Sequence, residues 1–314
     1  MHISRRSTSL HTINGDNPLG KRSRIAWRFC NLLNNHLFPH AAGRLAVDCF
    51  RPDMTRHELE ALNDPGASPS RLLTDLFLAR MDWDTLARLG RLHVLDTGCG
   101  SGVYLDKLSR FSGGRVSQYL GLDARPNDAW PQRKERYAGA EFCVADCAKA
   151  LEHIPPSANF FLSVSALEHF EHDLAYFRQV RSFVREAAHP IVHLHFVPSG
   201  PCIDLYRRHG VRQYVPRTLA SIAKMLADAD TRAAVYALGG PSSIEVHLDW
   251  ITRPLMDGRG DLRQQDPDGY ARARDEAVLA DLARDCRFRP AFYALFMVSH
   301  HRAPLTLIPG HPPV

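Results

Sequence analysis

No stretch of this chain is apolar for long enough to cross a bilayer. The opening "MHISRRSTSLHTINGDN" carries basic residues without the apolar centre of a secretory signal. CxxC pairs are missing as well. The seven cysteines stand at 30, 49, 99, 143, 147, 202 and 286, an odd number scattered over a chain too long to need disulfide staples. That pattern points to reduced thiols and a cytoplasmic setting. Charge of one sign is scarce: 39 Lys and Arg against 34 Asp and Glu leave a net +5. The two signs alternate along the chain, and only "KRSRIAWR" at 21–28 gathers basic residues. A nucleic-acid binder would collect them into a stripe, so no nucleic-acid partner is expected. There is no internal repeat and no low-complexity tract. What remains is 314 residues, 45% hydrophobic, enough for one large α/β domain plus an extension.

Residues 1–67 form that extension, rich in His, Arg, Asn and Pro, with turns at "NGDNP" and "NDPGASP". Within it "RIAWRFCNLLNNHLF" places Ile25, Phe29, Leu32, Leu33 and Leu37 at helical spacing, beside Lys21, Arg22, Arg24 and Arg28. The ordinary size of this stripe favours a helix packed on its own domain or on a partner. The competing reading lays residues 21–38 on an anionic membrane surface as a peripheral contact. The main domain spans 68–300. Ser68 is placed to cap a helix that has Pro69 at its first position and Leu72, Leu73, Leu76, Phe77 and Met81 on its buried face. Seven strands follow, "HVLD", "VSQYLGLD", "AEFCVAD", "FFLSVS", "PIVHLHFV", "RAAVYAL" and "AFYALFMVS", mostly alternating with helices. Alternation of this kind makes a mostly parallel sheet covered on both faces. The last two strands are separated by an insertion, about 240–288, rather than by a short crossover. The tail 301–314, ending in "LIPGHPPV", is expected to be loose.

The first of those strands runs into "RLHVLDTGCGSGVYLDKL" at 91–108. In an open parallel sheet, ligands collect where the first strand turns into the first helix. Gly98, Gly100 and Gly102 let the backbone turn tightly there and approach a ligand closely. The spacing is GxGxG rather than the GxGxxG of dinucleotide sites. Asp96 also stands two residues before the first glycine, where it would repel a pyrophosphate and favour a cationic, phosphate-free ligand. "VLDTGCGSG" resembles motif I of the class I S-adenosylmethionine-dependent methyltransferases. That resemblance covers about 90–240. It implies a Rossmann-like, seven-stranded sheet with an antiparallel last strand, and S-adenosyl-L-methionine as cofactor. By the same resemblance Asp96, Thr97, Gly98, Cys99, Gly100 and Gly102 cradle the methionine part. Asp123, ending "YLGLD", accepts from the ribose hydroxyls. Asp146 and Cys147, in "EFCVADCAK", meet the adenine. Ser165, in "FFLSVSALEHFEHD", passes beside the sulfonium. "RFSGGRVS" looks like the loop that lengthens the stretch between Asp96 and Asp123.

A sulfonium methyl is already activated, so holding the nucleophile in line supplies much of the catalysis, and a general base helps a hydroxyl. His169 is the first candidate base, with Glu168 beside it to orient the ring or act itself, and His195 near the end of the fifth strand is the third. His193 shares a strand face with His195, and a satisfied core histidine is its expected fate. His169, His172, His193 and His195 could gather around an ion, but no carboxylate-rich metal motif accompanies them, so no metal is expected. Acceptor recognition is expected from "CIDLYRRHGVRQYVP", through Tyr206, Arg207, His209, Arg212 and Tyr214, and from "EVHLDWITRPLM", through His247, Asp249 and Trp250. There is no N/D-P-P-Y after the fourth strand, and no paired-glutamate loop of the kind used on protein arginine. The flanks of the core resemble bacterial methyltransferases of surface-polysaccharide or secondary-metabolite pathways. The expectation is therefore methyl transfer to an oxygen, or second a nitrogen, of a small molecule or glycan. The alternative is a methyltransferase-like binding protein that partners an assembly without turnover.

Overall fold

The computed structural model describes residues 6–36, 45–62, 65–205, 209–227 and 230–313. Its strands are β1 (Val47–Cys49), β2 (Leu92–Thr97), β3 (Val116–Asp123), β4 (Ala140–Val144), β5 (Phe160–Val164), β6 (Ile191–Pro198), β7 (Arg232–Leu238) and β8 (Phe292–Ser299). They form one sheet in the order β1-β7-β8-β6-β5-β2-β3-β4. Every pairing is parallel except those of β8, which runs antiparallel to both β6 and β7. The sheet thus holds the seven expected strands and one more. β1 is the three-residue "VDC" of the N-terminal extension, too short to show a period-2 pattern, and it covers the edge that β7 would otherwise expose. β8 reverses direction because the insertion leaves and re-enters at one end of the sheet: Ala291 N donates to Leu238 O, at the end of β7, at 3.1 Å.

The helices among the described residues are α1 (Lys21–His36), α2 (Arg56–Ala61), α3 (Pro69–Ala79), α4 (Trp83–Arg88), α5 (Val103–Phe111), α6 (Trp130–Arg136), α7 (Asp173–Glu186), α8 (Pro216–Met225), α9 (Pro241–His247), α10 (Arg253–Met256), α11 (Leu262–Gln265) and α12 (Pro267–Leu282). Ser68 caps α3 by accepting from Arg71 N, with Pro69 in the first turn, a cap that contributes about 1 kcal/mol. Neighbouring residues Phe160 and Phe161 of β5 show the sheet covered on both sides. Phe160 belongs to the core layer that holds Leu72, Leu76 and Phe77 of α3, and Phe161 to the layer on the other face that holds Phe177, Val180 and Val184 of α7. The insertion supplies α9–α12, with α9 packed on α3 and α12. Asp281 of α12 accepts from the N–H groups of Gly240, Ser242 and Ser243 at the start of α9, at 2.7, 3.1 and 2.7 Å.

Helix α1 packs on its own domain as expected, but not through the apolar stripe, whose Leu37 lies outside the described residues. Helix α1 turns its other face inward: Trp27, Asn31 and Asn34 are buried, while Ile25 and Phe29 are 71% and 59% exposed. Hydrogen bonds decide the orientation. Trp27 Nε1 donates to Gly210 O at 3.0 Å, Asn31 Nδ2 to Val211 O at 3.2 Å, and Asn34 Nδ2 to Ser9 Oγ at 2.8 Å. The tail is not loose either. Leu305, Leu307 and Ile308 join the core, and Leu307 O accepts from Asp82 N at 2.7 Å.

Candidate active site

The turn between β2 and α5 holds Gly98, Gly100 and Gly102 at φ of +76°, +55° and +78°. A methyl group at Gly98 would lie 2.4 Å from Ala166 Cβ, and one at Gly102 would strike the Phe142 ring at 2.5 Å, so both positions exclude a side chain by space as well as by conformation. Parallel pairing of Thr97 with Leu122 brings the end of β3 beside the turn. There Asp123 Oδ2 accepts from Gly100 N at 2.8 Å and Oδ1 from Arg125 N at 3.2 Å.

A cleft of about 1140 Å³ opens over this turn. The expected residues Asp96, Thr97, Gly98, Cys99, Gly100, Asp123, Asp146, Cys147 and Ser165 all line it, while Gly102 lies behind them as a packing position. Asp96 is 1% exposed and its Oδ2 accepts from Tyr119 Oη at 2.6 Å. Burial, with a smaller push from the Asp123 charge, raises the Asp96 pKa to about 7 against the bond from Tyr119. A buried carboxylate of this kind gains most from a cation bound beside it. Ser165 has φ of +49°, which turns the backbone after β5 across the cleft. The Arg71 side chain, from α3, completes the wall with Tyr104 beneath it, its guanidinium 5.3 Å from the ring centroid.

A second cavity of about 240 Å³ is lined by Ser68, Ser70, Arg71, Thr74, Val164, Ser165 and His209. It shares Arg71, Val164 and Ser165 with the larger cleft. At the junction lies a cluster of titratable groups. Asp16 Oδ2 and His169 Nδ1 are 2.6 Å apart, Asp16 Oδ1 and His209 Nδ1 3.3 Å, and Glu168 Oε1 and His209 Nε2 3.6 Å. Burial alone would lower the His209 pKa, but the Asp16 and Glu168 carboxylates raise it to about 9. Burial would raise that of Asp16, and the hydrogen bonds of His169 and His209 instead hold it well below the carboxylate range.

Other expected residues lie elsewhere. His195 does not face the cleft. It is fully buried, sharing a hydrogen bond with Ser163 Oγ at 2.8 Å under Phe177, and burial lowers its pKa to about 3. His193 is likewise a core histidine. Central strands of this sheet are covered on both faces, so neither imidazole has a path to the ligand. Tyr214 is no acceptor contact: its hydroxyl donates to Leu167 O at 3.1 Å and meets Asp173 Oδ2 at 3.0 Å. Arg212 is buried with it, 2.9 Å from Asp173. His247 is buried, with a pKa lowered to about 3 by burial, and Trp250 packs on Tyr270; both lie outside the two cavities. Tyr206 and Arg207 fall outside the described residues.

The sequence reading missed Asn14, Asp16 and Asn17, which line the cleft from the N-terminal extension, and Arg71. "NGDNP" reads only as a turn. Its place is fixed by Gly15 N donating to Gly210 O at 2.7 Å and Gly210 N donating to Asp16 Oδ1 at 3.1 Å. Arg71 gave no signal beyond its position on the helix that leads into β2.

Residues 95–189 match the family model described as a methyltransferase domain. No curated protein matches the chain. Among solved structures, the chain is similar to the plantazolicin methyltransferase BamL in complex with a triazolic desmethylPZN analog and SAH, at 13% identity over 78% of this chain and 89% of that one, TM-score 0.45. It is also similar to the N-methyltransferase NodS from Bradyrhizobium japonicum WM9 in complex with S-adenosyl-L-homocysteine, at 13% identity over 80% and 100%, TM-score 0.43. Phosphoethanolamine N-methyltransferase 2 of Haemonchus contortus, with S-adenosyl-L-methionine, aligns at 14% identity over 79% and 58%, TM-score 0.44. The matched stretch begins in β2 and ends just past α7, taking in the glycine turn, the Asp123 strand end and the segment of Glu168 and His169. Residues 95–189 of this chain are thus similar to a methyltransferase domain, and the glycine turn and Asp96, Asp123 and Asp146 of the cleft lie within that match.

Proposed function

We propose that this enzyme, working in the cytoplasm, methylates an oxygen, or second a nitrogen, of a polar small molecule or glycan. The observation that carries the reading is the junction of two cavities at Arg71, Val164 and Ser165, one large enough for a nucleoside cofactor and one small and polar. The bound cofactor supplies an electrophilic methyl on a sulfonium. The chain's own residues bind and orient it. Asp96 attracts the cationic amino group, and Asp123, an acceptor-only carboxylate, takes hydrogen bonds from the ribose. Asp146 and the Cys147 backbone face the adenine, while the Arg71 guanidinium suits the methionine carboxylate. In the smaller cavity Ser68, Ser70 and Thr74 give the acceptor a polar lining. The Asp16, Glu168, His169 and His209 group then stands where the acceptor's nucleophile must give up a proton.

Helix α1 supports a site of work. Its exposed Ile25, Phe29 and Leu32, rimmed by exposed Lys21, Arg22 and Arg24, suit an anionic lipid surface. The deciding experiment for the acceptor class is release of S-adenosylhomocysteine with hydroxylated and amino small molecules, free and lipid-linked sugars, nucleic acid and protein. Release with a small molecule or sugar is the expected result. Release confined to nucleic acid or protein would refute the acceptor class. Tight cofactor binding without turnover on any acceptor would favour the non-catalytic partner role.

A further inference from the structure

We propose that Asp16, His169 and His209 bind a divalent transition-metal ion of the zinc and cobalt kind at the junction of the two cavities. The role given to the ion rests on the methyltransferase reading above; the binding itself does not. Three observations converge on the site. First, the three side chains each offer one ligand atom, and these atoms all lie within 4.8 Å of one another. Ligands held at about 2.0–2.2 Å in a tetrahedral set sit roughly 3.3–3.5 Å apart, so small rotations of the side chains suffice. Two imidazoles and a carboxylate are a donor set for a borderline first-row ion, which leaves one or more positions open to another ligand.

Second, the supporting carboxylate is in place. Histidines on metals commonly give their other ring N–H to a carboxylate, which fixes the tautomer and strengthens the ligand. With His209 Nδ1 toward Asp16, its Nε2 faces Glu168 Oε1 at 3.6 Å. The Glu168 side chain is 1% exposed, and its Oε2 is buried with no hydrogen-bond partner among the described residues. Leaving the buried Oε2 unpaired is costly, and a metal ion taking the place of the proton shared in the adjoining cluster would keep a positive charge beside this carboxylate.

Third, the site is built from three separate parts of the chain and fixed by backbone contacts. Asp16 is 153 residues from His169 and is held in place by Gly210 N. Glu168 O accepts from Val211 N at 2.7 Å, which locks the His209 loop against the segment after β5. The His169 and His209 rings meet edge to face, with centroids 4.5 Å apart. The open positions of the ion look toward space shared by the cleft, which His169 and Asp16 line, and the smaller cavity, which His209 lines. An acceptor oxygen bound there would be polarised and its proton made easier to lose to water in the open cleft.

The test uses the full chain, freed of metal with a chelator and titrated with Co²⁺ while the visible absorption of the ion is followed. One equivalent is expected to bind and give the spectrum of a site with nitrogen and oxygen ligands. His209→Gln and Asp16→Asn should each weaken binding by more than ~100-fold, and Glu168→Gln by ~10–100-fold through the lost partner. Asp16→Asn keeps an oxygen for Gly210 N, so melting temperature checks that the fold survives. No binding up to about millimolar Co²⁺, or binding that all three variants leave unchanged, would overturn the proposal. S-adenosylhomocysteine binding is measured beside it with chelator present. Its retention is expected, and its absence would count against the cofactor reading alone, because the Co²⁺ titration needs no cofactor.

Discussion

Replacing Asp123 by alanine removes a carboxylate that stands at the end of β3, half-buried, with Gly100 N and Arg125 N already donating to it. Two hydrogen bonds from ribose hydroxyls to that charge would contribute about 1.5–3 kcal/mol each if fully sheltered. The site is partly solvated, so the low end applies, and the two together amount to about 3 kcal/mol. That is a rise of ~100-fold in the Kd for S-adenosylhomocysteine. Folding should suffer far less. The Gly100 amide that loses its partner is solvent-accessible, so about 0.5–1 kcal/mol is the expected cost. Asp123→Asn, which keeps the shape but not the charge, should fall between, near ~10-fold. The assay is calorimetric titration of both variants with S-adenosylhomocysteine, alongside denaturant unfolding. A Kd within twofold of the parent for Asp123→Ala, with the fold intact, would refute the assignment of this strand end to the ribose.

Asp96 gives opposite signs for binding and stability. Its pKa in the cofactor-free protein is raised from 3.8 to about 7, chiefly by burial. The ionised form is the one that attracts an ammonium, so cofactor affinity should rise ~10-fold from pH 6 to pH 8 and become flat in Asp96→Asn. The cofactor-free protein should lose stability as pH rises from about 4 through about 7, since the folded state holds the proton more tightly; denaturant melts across that window check the sign. Asp173 is fully buried and ion-paired with Arg212, and it accepts from Thr8 N at 2.8 Å and also from the Thr8 hydroxyl. Asp173→Ala leaves a buried guanidinium without its partner and should cost about 3–5 kcal/mol in urea unfolding; a loss under about 1 kcal/mol would contradict the geometry. On α1, Phe29→Glu should abolish sedimentation with vesicles rich in anionic lipid and leave the melting temperature unchanged, because Phe29 is 59% exposed. A parent protein that ignores such vesicles would remove the membrane role.

The glycine turn was legible because it is local: Asp96, Gly98 and Gly100 declare a β-to-α turn by spacing, and the motif order of the resemblance then pointed to Asp123, at the end of β3, and to Asp146, two residues past β4. The seven long strands and α3 were legible for the same reason, each carrying its own periodicity and cap. The acceptor side was not. Asp16 and His209 come together only through Gly210, whose backbone holds the "NGDNP" turn against the loop after β6, and no pattern in either stretch announces the other. His195 misled because alternation on a strand says which residues share a face and not what covers that face, here Phe177. Helix α1 misled because buried hydrogen bonds of Trp27 and Asn31 outweighed an apolar stripe. Periodicity and turn chemistry act over a few residues and so can be read along the chain. Burial, ion pairing and the meeting of distant side chains depend on which surfaces the fold brings together, and the tertiary structure alone decides them.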